Sequence, residues 1–213
     1  MKQLIIQRIK WNNPEAEKVS LQLDEAAVPF YRINTVNWKA YPYFPEVLFR
    51  IAHNEEAILL NYQVSESDIK AVCDRDNGKV WEDSCVEFFV AFDKDSYYNI
   101  ECNCIGKIVI GKGSGRGGRI SLPDALLQQV DRWSSLGNLP VENRSGDWEV
   151  SLVIPREIFY PEVIDPLNNV KAMGNFYKCG DKLQTPHFLS WNPIHSDAPD
   201  FHLPAFFGYL QFE

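Results

Sequence analysis

The sequence predicts an all-β fold: an antiparallel β-sandwich, jelly-roll or immunoglobulin-like, with one short helix. Three observations predict it. Apolar residues alternate with polar ones over several short runs, the period of a strand with one buried face. Turn-forming clusters such as Asp74-Arg75-Asp76-Asn77-Gly78 separate those runs. Aromatic residues are abundant, at 13% of the chain, and strands favour them. No repeat, linker or low-complexity tract divides the 213 residues, so one domain over 1–213 is expected. A chain of this length buries roughly 70% of its unfolded surface and needs no disulfide or metal to hold a core.

Residues 1–45 are mixed and proline-punctuated, with Trp11, Trp38, Tyr41 and Tyr43 among them. Residues 47–53 and 57–64 read as strands joined at His53-Asn54-Glu55-Glu56. A polar stretch, 65–80, follows. The clearest element is the hairpin in WEDSCVEFFVAFDKDSYYNIECNCIG, Trp81 to Gly106. Val86, Phe88, Val90 and Phe92 share one face with Tyr98, Ile100, Cys102 and Cys104, while Glu87, Phe89, Asn99, Glu101 and Asn103 share the other. The expected register pairs Val90 with Ile100, Phe88 with Cys102 and Val86 with Cys104, setting Glu87 opposite Asn103 and Phe89 opposite Glu101. Strand continues over 107–110, and the glycine-rich 111–119 reads as a mobile loop. Ser121 and Asp124 suggest a helix N-cap pair, and Leu126, Leu127 and Val130 at helical spacing predict a helix over 123–133. Residues 148–155, 172–178 and 207–212 complete the strands.

A net charge of −8 argues against nucleic acid as partner, with Arg116 and Arg119 a small local exception. No apolar run approaches the roughly 20 residues of a membrane span. The start, MKQLIIQRIKW, is too short in apolar residues for a signal peptide. The chain as given therefore reads as cytoplasmic, or as secreted if a leader has been removed. Five cysteines, an odd number without a bridging pattern, read as reduced and mostly buried thiols.

Several motifs point nowhere. Gly106 to Lys112 mimics a phosphate loop, but Gly113 follows the lysine and Ile108-Val109-Ile110 looks like strand. His187, His195 and His202 with Asp197 and Asp200 lack metal-ligand spacing, and loop hydrogen bonding explains them more simply. Asp74-x-Asp76-x-Gly78 begins like a calcium loop without the later ligands. Glu87 and Glu101 on one sheet face keep O-glycosyl hydrolysis open as an alternative. Solvated or amide-bonded carboxylates are the plainer reading.

The hairpin resembles the W-x-D-D-x-V-E-x-F … Y-x-F-x-x-N-x-x-G core of carbohydrate-binding family 9-like domains, of the free-standing bacterial type. DWEVSLVIP is similar to that family's G-W-x-x-E-x-x-I-P strand. NFYKCGDKL … PHFLSWNPIHSDAPDFHLPAFFGYLQFE is similar to its closing segment. The matches run in order over about 45–213. The resemblance implies non-catalytic binding of an oligosaccharide or polysaccharide end in polysaccharide catabolism, often with structural calcium. By position it implies that Trp81 and Trp191 sandwich the sugar, with Glu82, Asp83, Asn103, Arg116, Asn175 and Asn192 bonding its hydroxyls. A scaffold that has lost sugar binding remains the other alternative.

Overall fold

A computed structural model describes residues 1–163 and 165–213. In chain order the strands and helices are β1 (Gln3–Arg8), α1 (Val19–Glu25), β2 (Tyr31–Arg32), β3 (Thr35–Val36), β4 (Glu46–His53), β5 (Ala57–Ala71), β6 (Cys85–Ala91) and β7 (Tyr97–Asn103). Then come β8 (Ile108–Gly113), β9 (Ile120–Ser121), α2 (Asp124–Leu127), β10 (Asp131–Ser134), β11 (Val141–Pro155), β12 (Lys171–Cys179), β13 (Phe188–Ser190) and β14 (Gly208–Phe212). Among the described residues no helix is long and apolar enough to cross a membrane.

The strands pair in the order β10-β11-β5-β4-β1-β14-β12-β6-β7-β8-β9, one sheet that curls until its two halves face each other. Between the halves lies the main core. Phe49 of β4 stacks on Phe176 of β12 at 3.9 Å between ring centroids, and Phe176 stacks on Phe88 of β6 at 4.8 Å. The Tyr62 hydroxyl of β5 donates across the core to the Glu87 carbonyl oxygen at 2.9 Å. Lys178 of β12 also points inward, where it meets Glu66 of β5 at 2.9 Å, so that neither buried charge lacks a partner.

The all-β class holds, but the sheet is mixed rather than strictly antiparallel. Residues Gln3 to Ile6 of β1 pair in parallel with β14, and Gln7 and Arg8 pair in parallel with β4. Parallel neighbours need a long crossover. Residues 9–45 supply one between β1 and β4, and it carries the unexpected helix α1. Val19 and Leu23, one turn apart, are fully buried and cover Ala52, Leu59 and Val153 on the outer face of the sheet.

The helix expected over 123–133 is a single turn, Asp124–Leu127, whose N-cap is Pro123 with no side-chain bond. Ser121 instead pairs with Gly111 as part of β9. The chain leaves the helix because better partners lie nearby. Arg132 bonds Asp76 at 2.6 Å, Ser134 bonds the Cys104 carbonyl at 2.6 Å, and residues 131–134 add a strand to β11. Part of the polar stretch at 65–80 is likewise strand, because Glu66, Ile69 and Ala71 are buried and β5 runs on to Ala71.

The central hairpin keeps the expected faces but shifts register by two residues. Phe88 lies opposite Ile100, Val86 opposite Cys102, and Glu87 directly opposite Glu101 rather than Asn103. Asp93 explains the shift: its Oδ1 accepts from the backbone N–H of Asp95 and Ser96 at 2.8 and 2.9 Å, closing the turn early. A two-residue slip preserves the side-chain faces, so period alone could not detect it.

Close sheet packing sets one constraint. A Cβ on Gly174 in β12 would lie 2.6 Å from the Phe89 carbonyl oxygen and 2.6 Å from Leu210 Cδ1. Gly174→Ala should therefore cost about 2 kcal/mol through overpacking, read as a lowered midpoint in chemical denaturation. An unchanged midpoint would mean that the two strands separate freely there.

Candidate functional site

The outer face of the β12–β6–β7–β8 layer is where alternation placed the polar residues. Cross-strand pairing arranges them in rows: Cys179–Cys85–Asn103, Tyr177–Glu87–Glu101–Val109, and Asn175–Phe89–Asn99–Gly111. Several loops and a 3-10 turn rise around this face and leave a cavity of about 580 Å³. Glu87, Glu101, Asn99, Val109 and Gly111 form its floor. Trp81, Tyr41 and Phe188 contribute aromatic surface, and Asp181, Arg116 and Arg119 contribute charge. Val80–Glu82 is the 3-10 turn that presents Trp81, half-buried, at the edge. Asp83 holds that turn: its carboxylate accepts from the backbone N–H of Val72 and Cys73, both at 3.0 Å, and from Asn103 Nδ2 at 2.9 Å.

The glycine-rich segment is tied to the floor through Arg119. Its guanidinium donates to Asn99 Oδ1 at 2.8 Å and to the carbonyls of Tyr97, Gly111 and Gly115 at 3.0–3.1 Å. It also lies over the Tyr97 ring, 4.2 Å from the centroid. Gly111 has a reason to be glycine, since a Cβ there would stand 2.8 Å from Asn99 Oδ1.

Glu87 and Glu101 are nearly fully buried. Burial pushes the Glu87 carboxyl well above the usual range, and the Glu101 charge beside it pushes the same way. Glu101 is pushed up to about 7 by burial, against the Asn99 hydrogen bond and the Arg119 charge, which hold it down. Asp181 rises to about 6, again chiefly through burial. His202, beside the cavity, is driven down to about 4 by burial and the nearby Arg119, and so stays neutral at pH 7.

These directions fix a pH dependence. A carboxyl with a raised folded-state value binds more protons in the fold than in the unfolded chain, whose value is 4.5 for glutamate. The stability it contributes is full below pH 4.5 and is lost as pH rises through about 7. Glu101→Gln, a neutral isostere, should match the parent at pH 4.5 and be the more stable protein at pH 8. Denaturant titrations over that range read the difference. His187 and His202 carry depressed values and opposite signs, but both proteins share them. A constant offset between the two proteins would show that Glu101 titrates normally.

The structure brings together some residues that the sequence singled out and separates others. Trp81 and Arg116 line the cavity, and so do Glu87 and Glu101. Glu82 turns to Lys79 at 3.5 Å. Asp83 and Asn103 lie buried beneath the Trp81 turn, spent on the bonds given above and on the Cys73 carbonyl. The Asn175 side chain bonds the Asn192 backbone and the Phe206 carbonyl, and the Asn192 side chain bonds that same carbonyl and the Lys2 amide. Trp191 is not paired with Trp81. It stands in the core, 3% exposed, edge-on to Phe49 and Phe176 at 6.4 and 5.7 Å. The strand pairing turned it inward: its backbone N–H bonds the Phe176 carbonyl at 2.8 Å, and Gly208 opens the space its ring fills.

The three histidines also part company. His187 contacts buried Lys178 at 2.8 Å, His202 shares a hydrogen bond with the Tyr97 hydroxyl at 2.9 Å, and His195 packs on Phe206. Asp76 is occupied by the Ile108 amide and Arg132. Among the described residues the one cluster of three His, Cys or acidic ligands is Cys85, Glu87 and Cys179, within 4.8 Å of one another. Two sulfurs and one carboxylate do not fit calcium, which takes six to eight oxygens.

The sequence model of carbohydrate-binding family 9 matches residues 17–212. The chain belongs to carbohydrate-binding family 9. This family 9 chain is 49% identical to a proposed carbohydrate-binding protein of Bacteroides uniformis ATCC 8492, with a TM-score of 0.96 over 100% of this chain and 99% of that one. It is also similar to a family 9 module from Caldicellulosiruptor kristjanssonii in complex with glucose, at 12% identity and TM-score 0.62 over 100% of this chain and 96% of that one. The same organism's family 9 module in complex with cellotriose gives 10% identity and TM-score 0.62, over 100% and 94% of the two chains. No curated protein matches.

Tyr41, Phe188, Asp181 and Arg119 of the family 9 chain are among the cavity residues that the sequence did not single out as site residues. Arg119 was visible as a local basic exception. Tyr41 and Phe188 come from segments about 147 residues apart (188 − 41) and meet at 4.9 Å edge to face, which no local pattern announces.

Proposed function

We propose that the protein is a non-catalytic, single-domain carbohydrate-binding module that takes a glycan end or oligosaccharide in the outer-face cavity, in the service of polysaccharide catabolism. The observation that carries this reading is the combination of aromatic surface and buried acceptors in one cavity: Trp81, Tyr41 and Phe188 around Glu87 and Glu101. A pyranose has apolar C–H faces and a rim of hydroxyls, so it needs flat apolar surface and a few convergent polar groups. Trp81 serves as the main platform. Tyr41 and Phe188 take the place that the resemblance gave to Trp191. Arg116 and Asp181 reach the hydroxyl rim. The likeness to the Bacteroides uniformis protein supports the reading across the whole chain.

The carboxyl pair favours one further reading, glycoside hydrolysis, because directly opposed residues on neighbouring strands sit about 4.5–5.5 Å apart at Cβ. Both carboxyls, however, rise from one floor. A glycosidase acid and its partner must flank the scissile bond from different sides. We therefore expect no turnover of chromogenic glycosides, and turnover lost in Glu87→Gln would reverse the assignment.

Tryptophan fluorescence and calorimetry against a panel of mono- and oligosaccharides test the binding reading. A saturable hit that shifts emission supports it. Silence across the panel transfers the protein to the scaffold reading, with a protein partner to be sought.

A further inference from the structure

Resting on that reading, we propose that the cavity prefers an amino sugar carrying a free ammonium over neutral sugars, and rejects acidic ones. Glu87 and Glu101 face each other across β6 and β7 on the cavity floor, 3% and 4% exposed. Two carboxyls placed this way can both ionise only beside a cation, and no cation touches them among the described residues.

Each group around the pair leads to the same result. On β6 and β12 the neighbours are the thiols of Cys85 and Cys179, held neutral by burial, and the Tyr177 phenol, likewise neutral. Cys179 donates to Glu87 Oε1 at 3.0 Å, a bond but not a charge. On β7, Asn99 donates to Glu101 Oε1 at 2.7 Å. Beyond β12, Asp181 adds a third acid to the cavity lining. His202 is neutral at pH 7.

Among the described residues that line the cavity only Arg116 and Arg119 carry positive charge, and the hydrogen bonds of both go to other partners. Arg116 pairs with Asp200 at 3.2 Å and bonds the Pro199 carbonyl. Arg119 spends its donors on Asn99 and three backbone carbonyls.

One atom then stands out. Glu101 Oε2 is buried and has no hydrogen-bond partner, although Glu101 lines the cavity. A buried acceptor left unmade is costly, and one beside a second carboxyl more so. A sugar hydroxyl could satisfy the acceptor but would leave the charge, so a neutral ligand requires one carboxyl to keep a proton. An ammonium brings three donors and the missing charge together, and both carboxyls then ionise. The aromatic rings lining the same cavity add a favourable surface for a cation. A uronate or sulfated sugar would meet Glu101 and Asp181 with charge of the same sign.

The test is calorimetry at pH 7.5 with glucosamine, glucose, N-acetylglucosamine and glucuronate on the full chain. Glucosamine should bind at least tenfold tighter than glucose, the advantage should vanish in N-acetylglucosamine, and glucuronate should not bind. Glu101→Gln should lower glucosamine affinity far more than glucose affinity, bringing their ratio towards one. Added salt should narrow the ratio in the parent. Glucose binding with a ratio near one in the parent would overturn the preference and leave the sugar-binding reading standing. No binding of any of the four would overturn both.

Discussion

Trp191→Ala should destabilise the fold by about 3–5 kcal/mol, the cost of emptying an aromatic site in a packed core. For a chain of this size that is a fall in melting temperature on the order of 10 °C or more. The ring is edge-on to both Phe49 and Phe176, within the stack that joins the two halves of the sheet. Gly208 lies beneath it: a Cβ there would stand 2.5 Å from Trp191 Cζ3, so the surroundings are close-packed and will collapse only partly. Sugar affinity of the protein that remains folded should change little, since the ring lies outside the cavity. Trp191→Phe serves as the milder variant should alanine prevent folding. A large loss of affinity with an unaltered melting curve would mean that Trp191 reaches the ligand after all.

Trp81→Ala should do the reverse. Its ring is half-buried at the cavity edge, and central aromatic anchors of a binding site commonly carry 2–4 kcal/mol. We expect about a 100-fold loss of sugar affinity, roughly 3 kcal/mol, with a melting temperature lower by only a few degrees. The backbone role of the residue survives the change, because its carbonyl still accepts from the Asp181 amide at 3.1 Å. Unchanged affinity would remove the proposed site. Measured side by side, the two variants separate binding from stability in one pair of tryptophans.

That the two residues belong to different parts of the molecule was not legible in the sequence. Trp81 was, because it stands at the mouth of a hairpin whose alternation is unambiguous and whose polar face is the cavity floor. Trp191 was not, because it follows a three-residue strand and nothing in Ser190-Trp191-Asn192 sets which side the ring takes. Its orientation is decided by Phe176 and Gly208, partners far away in sequence. The same holds for the hairpin register. Period two fixed the faces of Glu87 and Glu101, while the two Asp93 hydrogen bonds fixed which of them meet. The all-β class was readable from alternation and turn residues. The parallel placement of β1 was not, since it depends on partners at Ala52 and Tyr209 that no local pattern encodes. Val19 and Leu23, at helical spacing, were a missed sign of α1.

The double pairing of β1 has a consequence for the order of assembly. Leu4 pairs with Leu210, so β1 is held by a strand about 206 residues further along the chain (210 − 4). During synthesis β1 can dock on β4 early, but its other edge stays open until β14 has left the ribosome. Contacts so distant in sequence form slowly, and an unpaired edge invites association with another chain. The exposed Ile5 and Tyr209 on this seam would then be adhesive in an incomplete chain. Closure of the curled sheet is therefore a late event, and a nascent chain is most vulnerable to aggregation just before β14 arrives.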